Sequence, residues 1–130
     1  MENTEYGFSL FELLIVLVII GILAKISYPI YTYALIKTHR TEAKIALINL
    51  AQHMEIYYLA NNNSYEDANF STLHLKDITE RNFYQLTLKS TPNTYQLSAK
   101  AKFSDSECYL FKLNQLGEKT NAGSSSNQCW

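Results

Sequence analysis

The sequence predicts an α+β fold: one long N-terminal α-helix, its first half apolar enough to enter a membrane, packed on a small antiparallel β-sheet. Three observations predict it. An apolar run from Phe8 to Ala24 begins seven residues into the chain. Apolar residues then recur at helical spacing as far as Tyr57, and alternating polar and apolar stretches follow from Phe83. Two cysteines, Cys108 and Cys129, bound the C-terminal region, and 130 residues suit one domain with an appendage.

The N-terminal run reaches spanning length once Lys25 snorkels and Ile26, Ser27 and Tyr28 are added. It carries one carboxylate, Glu12, near its mouth. An ionised side chain inside a bilayer costs roughly 2.5–3.5 kcal/mol, so an acid kept there has a partner and a task. A secretory signal peptide would place its small-residue cut site after the apolar core. Here Ala24-Lys25-Ile26-Ser27 is a poor site of that kind, and the clean glycine, Gly7, precedes the run. Gly21 and Pro29 are the soft points of the helix, and Pro29, lacking a backbone donor, is expected to kink or locally open it.

Beyond Pro29, Ala43, Leu47, Leu50, Met54 and Tyr57 form one helix face suited to covering a sheet. Ile45, Ile48, Ile56 and Leu59 lie off that stripe and are divided between core and subunit contact. Asn61-Asn62-Asn63-Ser64 ends the helix, because Asn tolerates the left-handed cap conformation. Residues 61–82 read as a connecting loop. Strands are expected over Phe83–Leu88, Tyr95–Phe103 and Tyr109–Leu113, with a turn at Thr91-Pro92-Asn93 and the sheet ending by Leu116-Gly117. Ser124-Ser125-Ser126 reads as a loop tip, and Trp130 as a ring buried against the sheet.

The stretch Gly7-Phe8-Ser9-Leu10-Phe11-Glu12-Leu13-Leu14-Ile15-Val16 resembles the class III signal of type IV pilins, and the likeness continues through Ile20–Ala24 to Tyr28-Pro29-Ile30-Tyr31. Ala51–Tyr58 with Asn63-Ser64-Tyr65 is similar to the PilE-like branch. The resemblance implies a leader over 1–7 cut by prepilin peptidase between Gly7 and Phe8, and N-methylation of Phe8. It also implies a membrane and polymerisation helix over 8–30, and an exported head over 31–130 with its helix at 31–60, loop at 61–82, sheet at 83–116 and cysteine-bounded region at 108–129. Glu12 then pairs with the terminal amine of a neighbouring subunit. Physical reasoning agrees, since a carboxylate near a helix N-terminus is favoured by the dipole and weakly screened in an apolar medium. Met1–Tyr6 departs from the pattern, with two acids and no Lys or Arg, while Lys25, Lys37 and Arg40 follow the span. The positive-inside rule taken alone predicts the opposite orientation. In an exported head the two cysteines are expected to pair; the alternative is two separate buried thiols.

The implied partners are other pilin subunits, prepilin peptidase and the inner-membrane assembly machinery. The implied place is the inner membrane and then a surface filament, with roles in adhesion, twitching motility or DNA uptake. No cofactor, metal or catalytic set is expected: His39, His53 and His74 are scattered, and no phosphate loop, zinc-binding pair or nucleophile elbow occurs. Asp105 and Glu107 form a short acidic pair, read as facing water rather than holding a cation. Net charge is -1, which gives the whole chain no polyanion-binding signature, but all eleven Lys and Arg follow Ala24. Lys89, Lys100, Lys102, Lys112 and Lys119 are therefore the DNA contacts expected if this is a minor pilin acting as a DNA receptor. Lys100 and Lys102, two apart, share a strand face. A type II secretion pseudopilin is the other alternative; the cysteine pair and the missing acidic calcium loop argue against it.

Overall fold

A computed structural model describes residues 7–125 and 128–130. The leader residues 1–6 and the Ser126 end of the expected loop tip lie outside the described residues. The chain divides into two compact units, one through Leu35 and one from Ile36.

Helix α1 runs from Leu10 to Ala60, 51 residues, with Glu12 in its first turn. It continues through Gly21 and Pro29 without a break, so the local opening expected at Pro29 is not found. Ser27 Oγ donates to the Leu23 carbonyl at 2.8 Å and Thr32 Oγ1 to the Pro29 carbonyl at 2.9 Å, local side-chain bonds around the proline. In the first unit every apolar side chain from Phe8 to Tyr33 is exposed. It is a helix long and apolar enough to cross a membrane. The helix stops where Asn62 and Asn63 take φ of 52° and 57°, and the Asn63 N–H reaches the Tyr58 carbonyl at 3.0 Å.

In the second unit, Ala43, Leu47, Leu50 and Met54 are buried against the sheet and Tyr57 is half-buried beside them. Ile45, Ile48, Ile56 and Leu59, the residues off the stripe, are all exposed. The sheet has four antiparallel strands in sequence order: β1 (Tyr84–Ser90), β2 (Tyr95–Ala101), β3 (Leu110–Asn114) and β4 (Lys119–Ala122). Strand alternation sends Tyr84, Leu86, Leu97, Ala99, Phe111 and Leu113 into the core.

The sheet expected over 83–116 is corrected by a fourth strand, β4, which lies beyond it. Asn114-Gln115-Leu116-Gly117 is a hairpin turn into β4 rather than a terminus. Asn114 Oδ1 accepts the N–H groups of Leu116 and Glu118, and Gly117 holds φ of 74°. The free edge of β1 is partly covered by the loop, through Leu86 N–H to the Asp77 carbonyl and Thr79 N–H to the Tyr84 carbonyl.

Candidate nucleic-acid interface

Strand register decides which lysines share a surface. Lys100 lies opposite Leu110 and Gln85, Lys112 opposite Ser98, and Lys89 opposite Gln96. Directly paired residues project to the same side, so Lys89, Lys100 and Lys112 stand on the outer face, away from α1. Their strand neighbours there are Gln85, Thr87, Gln96, Ser98, Leu110, Asn114, Thr120 and Ala122, none of them acidic. Thr87 and Ser98 hydroxyls bond across the strands in the middle of this face. At its β1 border, Asp77 Oδ2 accepts from Gln85 Nε2 at 3.0 Å. Lys89 and Lys100 are exposed and Lys112 is half-buried.

The other two lysines do not join this surface in the same way. Lys102 follows β2 and donates to Asn82 Oδ1. Lys119 pairs with Leu113, a core residue, and so belongs to the opposite side of the sheet. Its Nζ lies 5.3 Å from the Trp130 ring centroid, within cation–π range. Trp130 is half-buried; it meets Phe111 edge-on at 5.6 Å, and its Nε1 donates to the Thr120 carbonyl at 2.8 Å.

The C-terminal region is closed by a Cys108–Cys129 disulfide, both cysteines buried. The turn leading into it corrects the expectation for the acidic pair. Asp105 is 6 % exposed rather than facing water. Arg40, reaching from α1, donates through Nε to Asp105 Oδ2 and through Nη2 to Oδ1, both at 2.8 Å. The same Nη2 reaches Glu107 Oε2 at 2.9 Å. Asp105 Oδ1 also accepts the N–H groups of Glu107 and Cys108. Burial would push the Asp105 carboxyl up, but the Arg40 guanidinium and the two N–H donors outweigh it and hold it below the usual carboxylate range. Sequence reasoning missed Arg40 because 65 residues separate the partners and no local pattern announces such a contact. At the other end of the head, the Tyr65 and Tyr95 hydroxyls both donate to Glu55 Oε1, at 3.0 and 3.2 Å. Burial, then the Glu55 carboxylate, pushes the Tyr65 hydroxyl up to about 12.

In the first unit, Gly7, Phe8 and Glu12 are all exposed. Among the described residues no group of three or more His, Cys, Asp or Glu converges to hold a metal. His39 is stacked on Phe83 at 3.8 Å, and the His53 ring nitrogen Nδ1 bonds the Asn49 carbonyl.

A family model described as type IV minor pilin ComP, DNA uptake sequence receptor, matches residues 29–112. The chain belongs to this ComP minor pilin family. A second model, the prokaryotic N-terminal methylation motif, matches residues 3–24. Among solved structures the chain is similar to the crystal structure of the Neisseria meningitidis non-core minor pilin PilV. Identity is 25 %, over 65 % of this chain and 82 % of that one, with a TM-score of 0.51. No curated protein sequence matches. ComP-family membership and the PilV-like fold agree with the long helix, the four-stranded sheet and the disulfide described above. They also settle on a minor pilin where the sequence reading left major and minor open.

Proposed function

We propose that this chain is a minor pilin that binds double-stranded DNA at the surface of a type IV pilus and serves DNA uptake. The observation that carries this reading is the outer sheet face, where Lys89, Lys100 and Lys112 stand together with no acidic strand residue among them. Lysines in that arrangement neutralise phosphates and release counterions, whatever the base sequence. The Gln96 amide and the paired Thr87 and Ser98 hydroxyls between them are polar groups suited to phosphate oxygens, while the Gln85 amide is already held by Asp77. The family description supports the same partner. Adhesion and twitching motility, which the pilin resemblance also implies, draw support from no particular residue.

The N-terminal segment supplies the delivery. In this reading prepilin peptidase cuts between Gly7 and Phe8 and Phe8 becomes N-methylated, while the membrane holds the apolar helix with the head in the periplasm until assembly. Glu12 then pairs with the amine of a neighbouring pilin, and Gly21 and Pro29 supply whatever bending packing demands. The methylation motif over residues 3–24 supports this sequence of events.

The test is fluorescence anisotropy of a labelled 30-bp duplex titrated with the full-length chain in detergent micelles, across a series of NaCl concentrations. Replacing Lys100 and Lys112 together by Gln should weaken binding about tenfold or more at low salt and flatten the log–log salt slope by about 2. A wild-type chain that binds no duplex at 20 mM NaCl would sink the receptor reading.

A further inference from the structure

Tyrosine is unevenly placed in this chain. Three of the ten, Tyr28, Tyr31 and Tyr33, fall within two turns of α1, and all three are exposed. The stretch around them resembles neither the apolar run before it nor the charged helix after it. Between Lys25 and Lys37 no charge occurs, and Ser27, Thr32 and the three phenols supply the polar groups. Each residue turns the helix by about 100°, so Tyr31 and Tyr33 project to nearly opposite sides, with Tyr28 about 60° from Tyr31. A seam against one neighbouring helix would gather its rings on a single stripe, at spacings of three and four. Rings on both sides of one helix suit surroundings that are the same all round. Position along the axis agrees. At about 1.5 Å per residue from Leu10, Tyr28 lies about 27 Å along α1 and Tyr33 about 35 Å. The hydrocarbon core of a bilayer is about 30 Å thick, and the bilayer with its headgroup layers about 40–45 Å.

We infer that Tyr28, Tyr31 and Tyr33 form an interfacial girdle whose partner is the phospholipid headgroup layer, and that this girdle fixes the depth of the unassembled chain in the membrane. This rests on the membrane-held state proposed above. Glu12, in the first turn of α1, keeps that end of the helix at the near boundary, because an ionised carboxylate is costly deeper in. The three tyrosines then reach the far boundary, where each ring meets acyl chain and each hydroxyl meets headgroup or water. Lys25, three residues before Tyr28, reaches the same layer by snorkelling.

The experiment places a tryptophan reporter at two depths of the full-length chain, reconstituted in vesicles of phosphatidylethanolamine and phosphatidylglycerol. The acyl chains carry bromine, a fluorescence quencher, either near the headgroup or near the chain end. The wild-type chain, measured in parallel, supplies the Trp130 signal to be subtracted. Tyr31→Trp should be quenched mainly by the shallow bromine, and Ile22→Trp, about 14 Å further in, mainly by the deep one. Replacing all three tyrosines by Leu in the Ile22→Trp chain should change its deep-to-shallow quenching ratio about twofold, because the helix loses its boundary marker and slides or tilts. Deep quenching of Tyr31→Trp as strong as that of Ile22→Trp, or an unchanged ratio in the Leu variant, overturns the girdle. Quenching of Ile22→Trp with none of Tyr31→Trp sets the tyrosines clear of the membrane and overturns it too, while the membrane-held state survives. If bromine at neither depth quenches either reporter, the membrane-held state fails first, and the girdle with it.

Discussion

At the scale of single residues, the Arg40–Asp105 pair joins two parts of the head that the sequence keeps 65 residues apart. Asp105 is nearly sealed from solvent, its side chain 2 % exposed, and Arg40 is 11 % exposed. Removing one partner of a buried pair leaves the other charge desolvated, and the surviving contact to half-exposed Glu107 compensates only in part. Asp105→Asn should therefore cost about 3 kcal/mol, read as a lower denaturant midpoint in guanidinium unfolding followed by Trp130 fluorescence. The pH dependence has a definite sign. Because the folded state holds the Asp105 carboxyl below its unfolded range, its contribution is complete above about pH 4 and is lost as pH falls through the folded value. Wild-type stability should thus decline as pH falls below about 4, and the Asn variant should show a shallower decline there. Equal slopes for the two proteins would contradict the role given to this carboxylate.

At the scale of elements, Gly123 is the position that the disulfide region cannot change. It sits just after β4 with φ of 149°, and a Cβ there would lie 1.8 Å from the Glu107 carbonyl oxygen. Backbone cannot yield to that overlap, and the dihedral itself is one that side chains rarely adopt. Gly123→Ala should push residues 123–125 away from the 105–108 turn, breaking the Ser124 N–H to Ser106 carbonyl and Ser125 N–H to Glu107 carbonyl bonds. The expected cost is about 2 kcal/mol or more, with a measurable fraction of free thiol in a quantitative thiol assay of the purified chain.

The same region shows what a sequence can and cannot disclose. The buried stripe of α1, from Ala43 to Met54, and strands β1 to β3 were legible because burial on one face imposes a period on apolar residues. Strand β4, Lys119-Thr120-Asn121-Ala122, is polar, exposed or half-exposed and at an edge, so no period marks it. The outer-face grouping of Lys89, Lys100 and Lys112 depends on register, which alternation within one strand does not fix. Lys119 is named with these lysines as an expected DNA contact, and register puts it on the other side of the sheet.

At the scale of the whole molecule, the two units carry opposite solvent preferences. The unit through Leu35 buries none of its large apolar side chains, whereas the unit from Ile36 holds the entire buried core. The first therefore needs lipid or other helices around it, and assembly supplies those helices. In cells, Glu12→Val should leave cleavage intact but reduce the chain in sheared filaments at least tenfold, measured by mass spectrometry of the N-methylated peptide beginning at Phe8. Gly7→Val should leave the chain uncut in the membrane fraction. Recovery of Glu12→Val in filaments at wild-type abundance would remove Glu12 from the assembly step.

The grip on the C-terminal region is concentrated at a few points: the disulfide, the Asp105 turn held by Arg40, and Gly123 against Glu107. The hairpin tip at residues 115–118 closes on its own bonds and leaves Leu116 73 % exposed. Foldability and display are thereby uncoupled in this stretch of chain. Substituting Leu116 can change the surface of the head there while the anchors go on folding it, because its exposed side chain takes no part in the bonds that close the turn.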